Sequence, residues 1–344
     1  MATQGESRSR TDTYRRVLHF IDVGVSAVVA PTVIVVPLSG YINRLQAMAS
    51  GAILADRLGS EWRVVWRPSS VAPAASSDIF DSSLTSRHFL SSQEALEMWG
   101  VSVDDVPLYL TENRNNEVLY LRGHDKGEQV FMNDLQTRLS EGNSLNCLVI
   151  VAGGKFDLLG SERSVDAISR RFEFYRALAF APEIENRVAA LVAGRQPYLG
   201  LHLRFTDRSL QSPSQRATMA AVNRLSELES ASSVFVAADS PETRDEWIRR
   251  LQSAGLEPWS QDLHSIDRTS QSAAVDALSD WRILARARAL VYFQESSFGE
   301  EAAVASGAFD ASIGLRASSA RLLSNWTRYH LRNLATYPKR HWST

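Results

Sequence analysis

Short apolar runs alternate with amphipathic segments along most of the chain. The run Thr32–Val36 is apolar and β-branched, which predicts a strand, and the apolar positions of 43–58 recur at helical spacing. Gly59 suits the C-cap of that helix, and Trp62–Trp66 predicts a second strand. A strand, a glycine-containing turn, a helix and a strand in this order predict a βαβ unit.

The middle of the chain is less regular, and a second alternating series follows it. Ser69–Ser92 is rich in Ser, Ala and Pro and is predicted to be loop. The other predicted elements are strands at 118–121, 145–152, 198–203, 234–238 and 289–293, and helices at 165–179, 182–193, 216–230, 241–254, 273–287 and 297–306. Two such series predict an α/β protein with two lobes, 32–190 and 191–344, after an N-terminal extension, 1–31.

Composition agrees with this organisation. The chain has 344 residues, more than one compact core usually holds, and its 44% hydrophobic and 22% charged residues are typical of a soluble globular protein. The net charge of −2 gives no electrostatic basis for nucleic-acid binding, so any phosphate must be bound by local groups. The single cysteine, Cys147, excludes an intrachain disulfide and is interpreted as a small buried hydrophobe, which suits a reducing cytoplasm.

The N-terminal region offers two interpretations. Basic residues precede the apolar run Val17–Pro37, as in a signal peptide or membrane anchor. However, His19, Asp22 and Pro31 interrupt the run, and a charge in mid-membrane costs about 2.5–3.5 kcal/mol. We therefore expect no membrane span and a cytoplasmic protein, with a targeting segment as the alternative.

The most informative segment is the end of the strand that begins at Tyr198. This strand delivers His202, Arg204 and Asp207 to the loop beyond its carboxyl end, where open α/β sheets bind ligands. Strand alternation puts His202 and Arg204 on one face, and an arginine there suits a diphosphate. The alternative is a loop salt bridge between Arg204 and Asp207, and this segment alone does not separate the two.

Two further segments carry candidate residues. Ser296 and Ser297 lie at the N-terminus of a predicted helix, a position that suits either an anion site or an ordinary N-cap. Asn43 follows the turn Ser39-Gly40-Tyr41 at another helix start, where it could also be an N-cap. The turn lacks the spaced glycines of a dinucleotide fingerprint, which disfavours an NAD-dependent oxidoreductase. Scattered histidines and the lack of an Asp-x-Asp sequence disfavour a metal site.

The order and spacing of these segments resemble the GDP-fucose-dependent fucosyltransferase superfamily, which contains protein O-fucosyltransferases, α1,6-fucosyltransferases and the rhizobial nodulation fucosyltransferase. The resemblance covers about 32–310. Its pieces are the turn Ser39–Asn43, the His-x-Arg-x-x-Asp of His202, Arg204 and Asp207, the strand ending at Asp239, Asp280 with Leu284, and Ser296-Ser297-Phe298.

The resemblance implies a GT-B-like α/β fold, with two Rossmann-like lobes whose parallel sheets face a cleft. It implies transfer of fucose from GDP-fucose to a hydroxyl of a glycan, glycoside or protein, with inversion and without a metal or other cofactor. The site residues that it implies are His202 and Asp280 on the guanine, Arg204 on the β-phosphate, Ser296, Ser297 and Phe298 at the phosphate and ribose, and Asn43 near the sugar, with Gly40, Asp207 and Asp239 in the donor site.

Two departures from the superfamily leave alternatives open. Some relatives have a second arginine where this chain has Phe205, and some have a carboxylate base where it has Gly40. The donor could therefore be another nucleotide-hexose, and a non-catalytic module that binds a nucleotide sugar or glycan is a second alternative.

Overall fold

A computed structural model of the chain describes residues 31–113, 116–121, 145–156, 165–195, 197–204, 213–262, 270–294 and 296–317. The chain divides into two compact units, Met1–Arg187 with Leu263–Ser279 and Val188–Asp262 with Asp280–Thr344. The predicted lobe boundary at 190/191 is close to the first of these divisions, whereas 270–279 groups with the first unit. The predicted N-terminal extension lies outside the described residues, apart from Pro31.

In the described part of the first unit, four strands form a parallel sheet in the order β2-β1-β4-β3. They are β1 (Thr32–Pro37), β2 (Trp62–Val64), β3 (Asn116–Leu121) and β4 (Cys147–Ala152). Central β1 and β4 are buried along almost their whole length, which explains why both read as continuous apolar runs. The four predicted strands of this region are confirmed, with ends shifted by at most two residues.

Helix α1 (Tyr41–Leu58) joins β1 to β2 and completes the predicted βαβ unit. It ends at Gly59, whose φ of 63° is left-handed and whose N–H bonds to carbonyls of the last turn, as predicted for the C-cap. Gly51 faces β1, and a Cβ there would overlap the side chain of Val35. This glycine therefore lets α1 pack directly against the strand that leads into the Ser39–Asn43 turn.

The segment 69–92 contains two short helices, so the prediction of a loop is wrong there. Helix α2 covers Ser76–Ile79 and α3 covers Ser82–His88, and Asp81 caps α3 by accepting a hydrogen bond from the N–H of Ser83. Helices this short do not show apolar periodicity and depend on their caps. The next helices along the chain are α4 (Ser92–Trp99), α5 (Val106–Glu112), α6 (Val165–Ala177) and α7 (Pro182–Val192).

The second unit contains another parallel sheet, with the order β7-β6-β5-β8-β9 among its described residues. Its strands are β5 (Leu199–Leu203), β6 (Ser233–Ala238), β7 (Glu257–Trp259), β8 (Leu290–Phe293) and β9 (Ile313–Leu315). The predicted strands β5, β6 and β8 are confirmed. The edge strands β7 and β9 have three residues each and carry no pattern that would predict them.

Each face of this sheet packs against a different pair of helices. Leu199, Leu201 and Leu203 share a core with α8 (Gln215–Glu229) and α9 (Pro241–Ser253). The opposite face carries Tyr198, Gly200 and His202 and packs against the end of α10 (Gln271–Leu284) and against α11 (Ser297–Ala305). A Cβ at Gly200 would lie 2.8 Å from the Leu284 side chain, so this glycine permits close packing of the end of α10.

Cys147 lies at the start of β4 with 8% of its surface exposed, and burial raises the pKa of its thiol. Its interpretation as a small buried hydrophobe is confirmed. Within the described ranges, no helix combines the length and the apolar character that crossing a bilayer requires.

Candidate functional site

The predicted residues of the second unit meet at the carboxyl edge of its sheet. Parallel pairing aligns His202 of β5 with Ala237 of β6, and Asp239 follows directly after β6. Ser296 follows β8, which is the other neighbour of β5. The three central strands therefore deliver His202, Asp239 and Ser296 to the same edge, where open α/β sheets bind ligands.

His202 is held in the neutral form. Its side chain is buried, with 6% of its surface exposed, and its ring stacks on Phe298 with centroids 4.9 Å apart. Burial and the nearby Arg204 lower the pKa of His202 to about 4, although Asp239 opposes the shift. Its Nδ1 has no hydrogen-bond partner among the described residues. The site thus contains a neutral, stacked imidazole with one unused ring nitrogen.

Helix α11 begins directly beside this imidazole, and Gly299 makes the approach possible. A Cβ at position 299 would lie 2.6 Å from the Cβ of Tyr292 and 2.9 Å from Nδ1 of His202. Both distances are too short for any side chain, so only glycine fits. Sequence reasoning did not identify Gly299, although its place in the first helical turn after Ser296-Ser297-Phe298 was a usable signal.

Ser296 stands at the N-cap position of α11 but does not cap it. Its side chain makes no capping hydrogen bond, and its Oγ is buried without a partner in the part of the chain that the structure describes. The interpretation of Ser296 as an ordinary N-cap is therefore wrong. The first N–H groups of α11 have no acceptor within the helix, and the helix dipole adds partial positive charge there. Ser297 and Phe298 are the first two residues of this turn.

Arg204 follows β5 directly and is partly buried at the same edge. Its positive charge contributes to the lowered pKa of His202. Asp207, the third residue of the predicted motif, lies outside the described residues, as does Phe205. The alternative of a salt bridge between Arg204 and Asp207 therefore stays open.

Asp280 lies on α10 with 9% of its surface exposed, so it is not a solvated helix charge, which is what an isolated helical aspartate would be expected to be. Gln261 donates a hydrogen bond from Nε2 to Oδ1 of Asp280 over 2.6 Å. Gln261 is itself buried and follows β7 by two residues, beyond the carboxyl end of that strand. Sequence reasoning missed Gln261, because a glutamine after an unpredicted three-residue strand carries no signal.

The Ser39–Asn43 turn belongs to the first unit and is held by hydrogen bonds from Asn43 and Arg44 to Ser39. Ser39 has a φ of 71°, in the left-handed region, and Gly40 is the N-cap of α1. Asn43 is the third residue of the helix and donates from Nδ2 to Oγ of Ser39 over 3.0 Å, so the interpretation of Asn43 as an N-cap is wrong.

Arg44 anchors this turn from inside the first unit. Arg44 is 1% exposed, and its guanidinium donates to the carbonyls of Ser39 and Arg67 and to Oγ of Ser69 over 2.7–2.9 Å. It also lies 4.7 Å from the ring centroid of Trp66, and burial lowers its pKa to about 10, so it is a cation at neutral pH. The anchoring role of Arg44 could not be predicted, because its partners are up to 25 residues away in sequence.

Candidate metal ligands do not cluster at the described residues. No group of three or more His, Cys, Asp or Glu side chains that could hold a metal ion occurs among them.

Known structures with the same fold include POFUT1. Its apo form matches with a TM-score of 0.51 at 11% identity, covering 85% of this chain and 100% of POFUT1. POFUT1 in complex with GDP-fucose matches with a TM-score of 0.51 at 12% identity, covering 84% and 97% of the two chains. NodZ fucosyltransferase from Bradyrhizobium is 18% identical, with a TM-score of 0.49 over 79% of this chain and 91% of NodZ. No protein-family model matches the sequence, and no curated protein sequence matches it.

The likeness to POFUT1 confirms the fold that the resemblance implied, a GT-B-like α/β fold with a parallel sheet in each of two units. The fold alone does not select a reaction.

Proposed function

We propose that this protein is an inverting, metal-independent glycosyltransferase that transfers fucose from GDP-fucose to a hydroxyl group. The fold and the order of the site residues support this proposal, because structures of the same fold include POFUT1 in complex with GDP-fucose. The acceptor would be a glycan, a glycoside or a protein side chain.

The observation that carries the proposal is a pair of buried polar atoms that lack partners at one helix N-terminus. Nδ1 of His202 and Oγ of Ser296 are both inaccessible and unpaired within the described residues. Leaving a buried polar group unsatisfied costs about 1–3 kcal/mol, so such groups in native proteins call for an explanation. A nucleotide bound at this edge would supply polar partners where the protein supplies none.

The charges around these atoms suit a nucleoside diphosphate. Arg204 and the N-terminus of α11 supply positive potential for the phosphates, and the buried carboxylate of Asp280 can accept from N1–H and the 2-amino group of guanine. The Phe298 ring, stacked on His202, gives the site an apolar wall.

In the proposed reaction, the oxygen of the acceptor hydroxyl attacks the anomeric carbon of the donor on the face opposite GDP. The bond from that carbon to the β-phosphate oxygen breaks, and GDP leaves with the bonding electrons while the proton of the hydroxyl passes to solvent. Arg204 and α11 would offset the charge that develops on the departing diphosphate. Asn43, on the Ser39 turn, is the proposed contact to the sugar.

Ligand binding tests the nucleotide specificity of the site. A ligand that binds only the native state raises the melting temperature, so GDP is expected to raise it while UDP, ADP and NAD have little effect. The shift should disappear in Arg204→Ala and persist in Arg224→Ala, which removes an exposed arginine of α8. No shift of the wild-type protein at millimolar GDP would contradict the proposal.

Donor hydrolysis separates an enzyme from a binding module. We expect the wild-type protein to release GDP slowly from GDP-fucose and Arg204→Ala to do so about 100-fold more slowly, as for loss of one group that stabilises the transition state. Equal rates in the two proteins would show that Arg204 has no such role. GDP binding without any hydrolysis or transfer would favour the module, and faster release from another GDP-hexose would identify a different donor.

A further inference from the structure

We propose that Gln261 is a positioning residue that sets the guanine selectivity of the nucleotide site by holding the carboxylate of Asp280. The proposal rests on the proposed function, in which Asp280 reads the guanine base. It adds a residue that no motif marks.

The contact itself is short and lies inside the protein. Nε2 of Gln261 donates to Oδ1 of Asp280 over 2.6 Å, and the exposed fractions of the two residues are 2% and 9%. A buried carboxylate stays ionised only where donors replace the lost water, and a bond to a charged acceptor is about twice as strong as a neutral one. Gln261 therefore stabilises the charge of Asp280 and orients its carboxylate plane.

Gln261 is in turn fixed by its neighbours on both sides. Its main-chain carbonyl oxygen accepts a hydrogen bond from Nη1 of Arg244 on α9 over 3.1 Å. Two residues before it, Trp259 in β7 donates from its indole nitrogen to Oγ of Ser233 over 3.1 Å. The amide of Gln261 is thus presented to Asp280 from a backbone that has little freedom to move.

This arrangement bears on selectivity because purines differ on the edge that a carboxylate can contact. Guanine offers N1–H and a 2-amino group as donors, hypoxanthine keeps N1–H alone, and adenine has an acceptor at N1. A carboxylate has about four acceptor sites, so Oδ1 can accept from Gln261 and still leave sites for guanine. An oriented, ionised Asp280 would bind guanine with two donors, hypoxanthine with one, and would repel N1 of adenine.

The test compares GDP, inosine diphosphate and ADP by titration calorimetry. Gln261→Met keeps the length of the side chain and removes the donor, and Asp280→Asn removes the carboxylate charge. Ser232→Ala is the matched control, because it removes an exposed hydrogen bond to Glu257 of β7 without touching Gln261, Trp259 or Asp280.

In Gln261→Met, we expect GDP affinity to fall about tenfold, equivalent to loss of one hydrogen bond to a charged group. Inosine diphosphate should lose less, so the ratio of the two affinities should fall towards one. Ser232→Ala should keep the wild-type ratio, and adding Gln261→Met to Asp280→Asn should have little further effect. Equal weakening of both nucleotides in Gln261→Met, or additive effects in the double variant, would overturn the proposal.

Failure of this proposal and failure of the proposed function give different results. If the wild-type protein does not bind GDP, the proposed function and the role of Gln261 are both wrong. If it prefers GDP to inosine diphosphate and Gln261→Met keeps that preference, only the role of Gln261 is wrong. Should Gln261→Met not fold, Arg244→Met is the second variant, because it removes the hydrogen bond to the main-chain carbonyl of Gln261. It should lower the preference for GDP over inosine diphosphate by a smaller factor. An unchanged preference in that variant would equally contradict the proposal.

Discussion

At the residue scale, the depressed pKa of His202 couples the stability of the second unit to pH. In the folded protein burial and Arg204 hold the pKa at about 4, against about 6.5 in the unfolded chain. Between these values the unfolded state binds more protons, so the free energy of unfolding falls as the pH drops from about 6.5 to about 4. The loss should approach about 3 kcal/mol, since each pKa unit corresponds to about 1.4 kcal/mol.

Comparison with His202→Gln isolates this contribution from the carboxylates that titrate in the same range. We expect urea unfolding of the wild-type protein at pH 7 and pH 4.5 to show a larger loss of stability than the variant does. Identical pH dependence of the two proteins would mean that His202 titrates normally in the folded state.

Candidate ligand-binding residues at strand ends could be predicted from the sequence, whereas the residues that hold them in position could not. His202, Arg204 and Ser296 lie at the end of an apolar run or shortly after one, so their type and position already indicated a site. Gln261 is 19 residues from its partner Asp280, and the bond depends on packing that no local pattern records. Asp207 belongs to the predicted motif and stays a prediction.

At the scale of elements, the candidate site depends on how closely α11 approaches the sheet. We predict that Gly299→Ala displaces the start of α11, because the new methyl group would lie 2.6 Å from Cβ of Tyr292. Overpacking of this kind typically costs about 1–3 kcal/mol, and the displaced N–H groups should no longer bind phosphate. The melting temperature should fall and the shift caused by GDP should be strongly reduced.

Gly153→Ala is the control for this change, because a Cβ at Gly153 meets no atom within 4 Å. That variant should keep both the stability and the response to GDP. A Gly299→Ala protein that responds to GDP like the wild type would show that the start of α11 does not contribute to nucleotide binding.

Long helices could be predicted from the sequence, whereas the shortest helices and strands could not. Helices α1 and α8 have 18 and 15 residues, enough turns for apolar spacing to show, and both are confirmed. Helix α2 and strand β7 have four and three residues, and tertiary contacts and caps decide them. The elements that sequence reasoning missed therefore include β7, the strand that leads to Gln261.

At the scale of the whole molecule, a net charge of −2 gives no general attraction for a diphosphate. The proposed site relies instead on Arg204 and the helix N-terminus of α11. We therefore predict that GDP release from GDP-fucose proceeds at the same rate in the presence of EDTA. Loss of activity with EDTA that added Mg²⁺ or Mn²⁺ restores would contradict the proposed metal independence.

The two units should respond differently to the two halves of the donor, and hydrogen–deuterium exchange can resolve this. Every proposed contact to GDP lies in the second unit. GDP should therefore protect the amides at the start of α11 and directly after β5, because bound GDP would oppose the local unfolding that exposes these amides to exchange. The Ser39–Asn43 turn of the first unit is the proposed contact to the sugar, and its amides should gain protection with GDP-fucose but not with GDP. ADP serves as the control and should protect neither region. Protection of the turn by GDP alone would remove the basis for placing Asn43 at the sugar. Protection confined to the first unit would show that the nucleotide binds there, which would contradict the proposed site in the second unit.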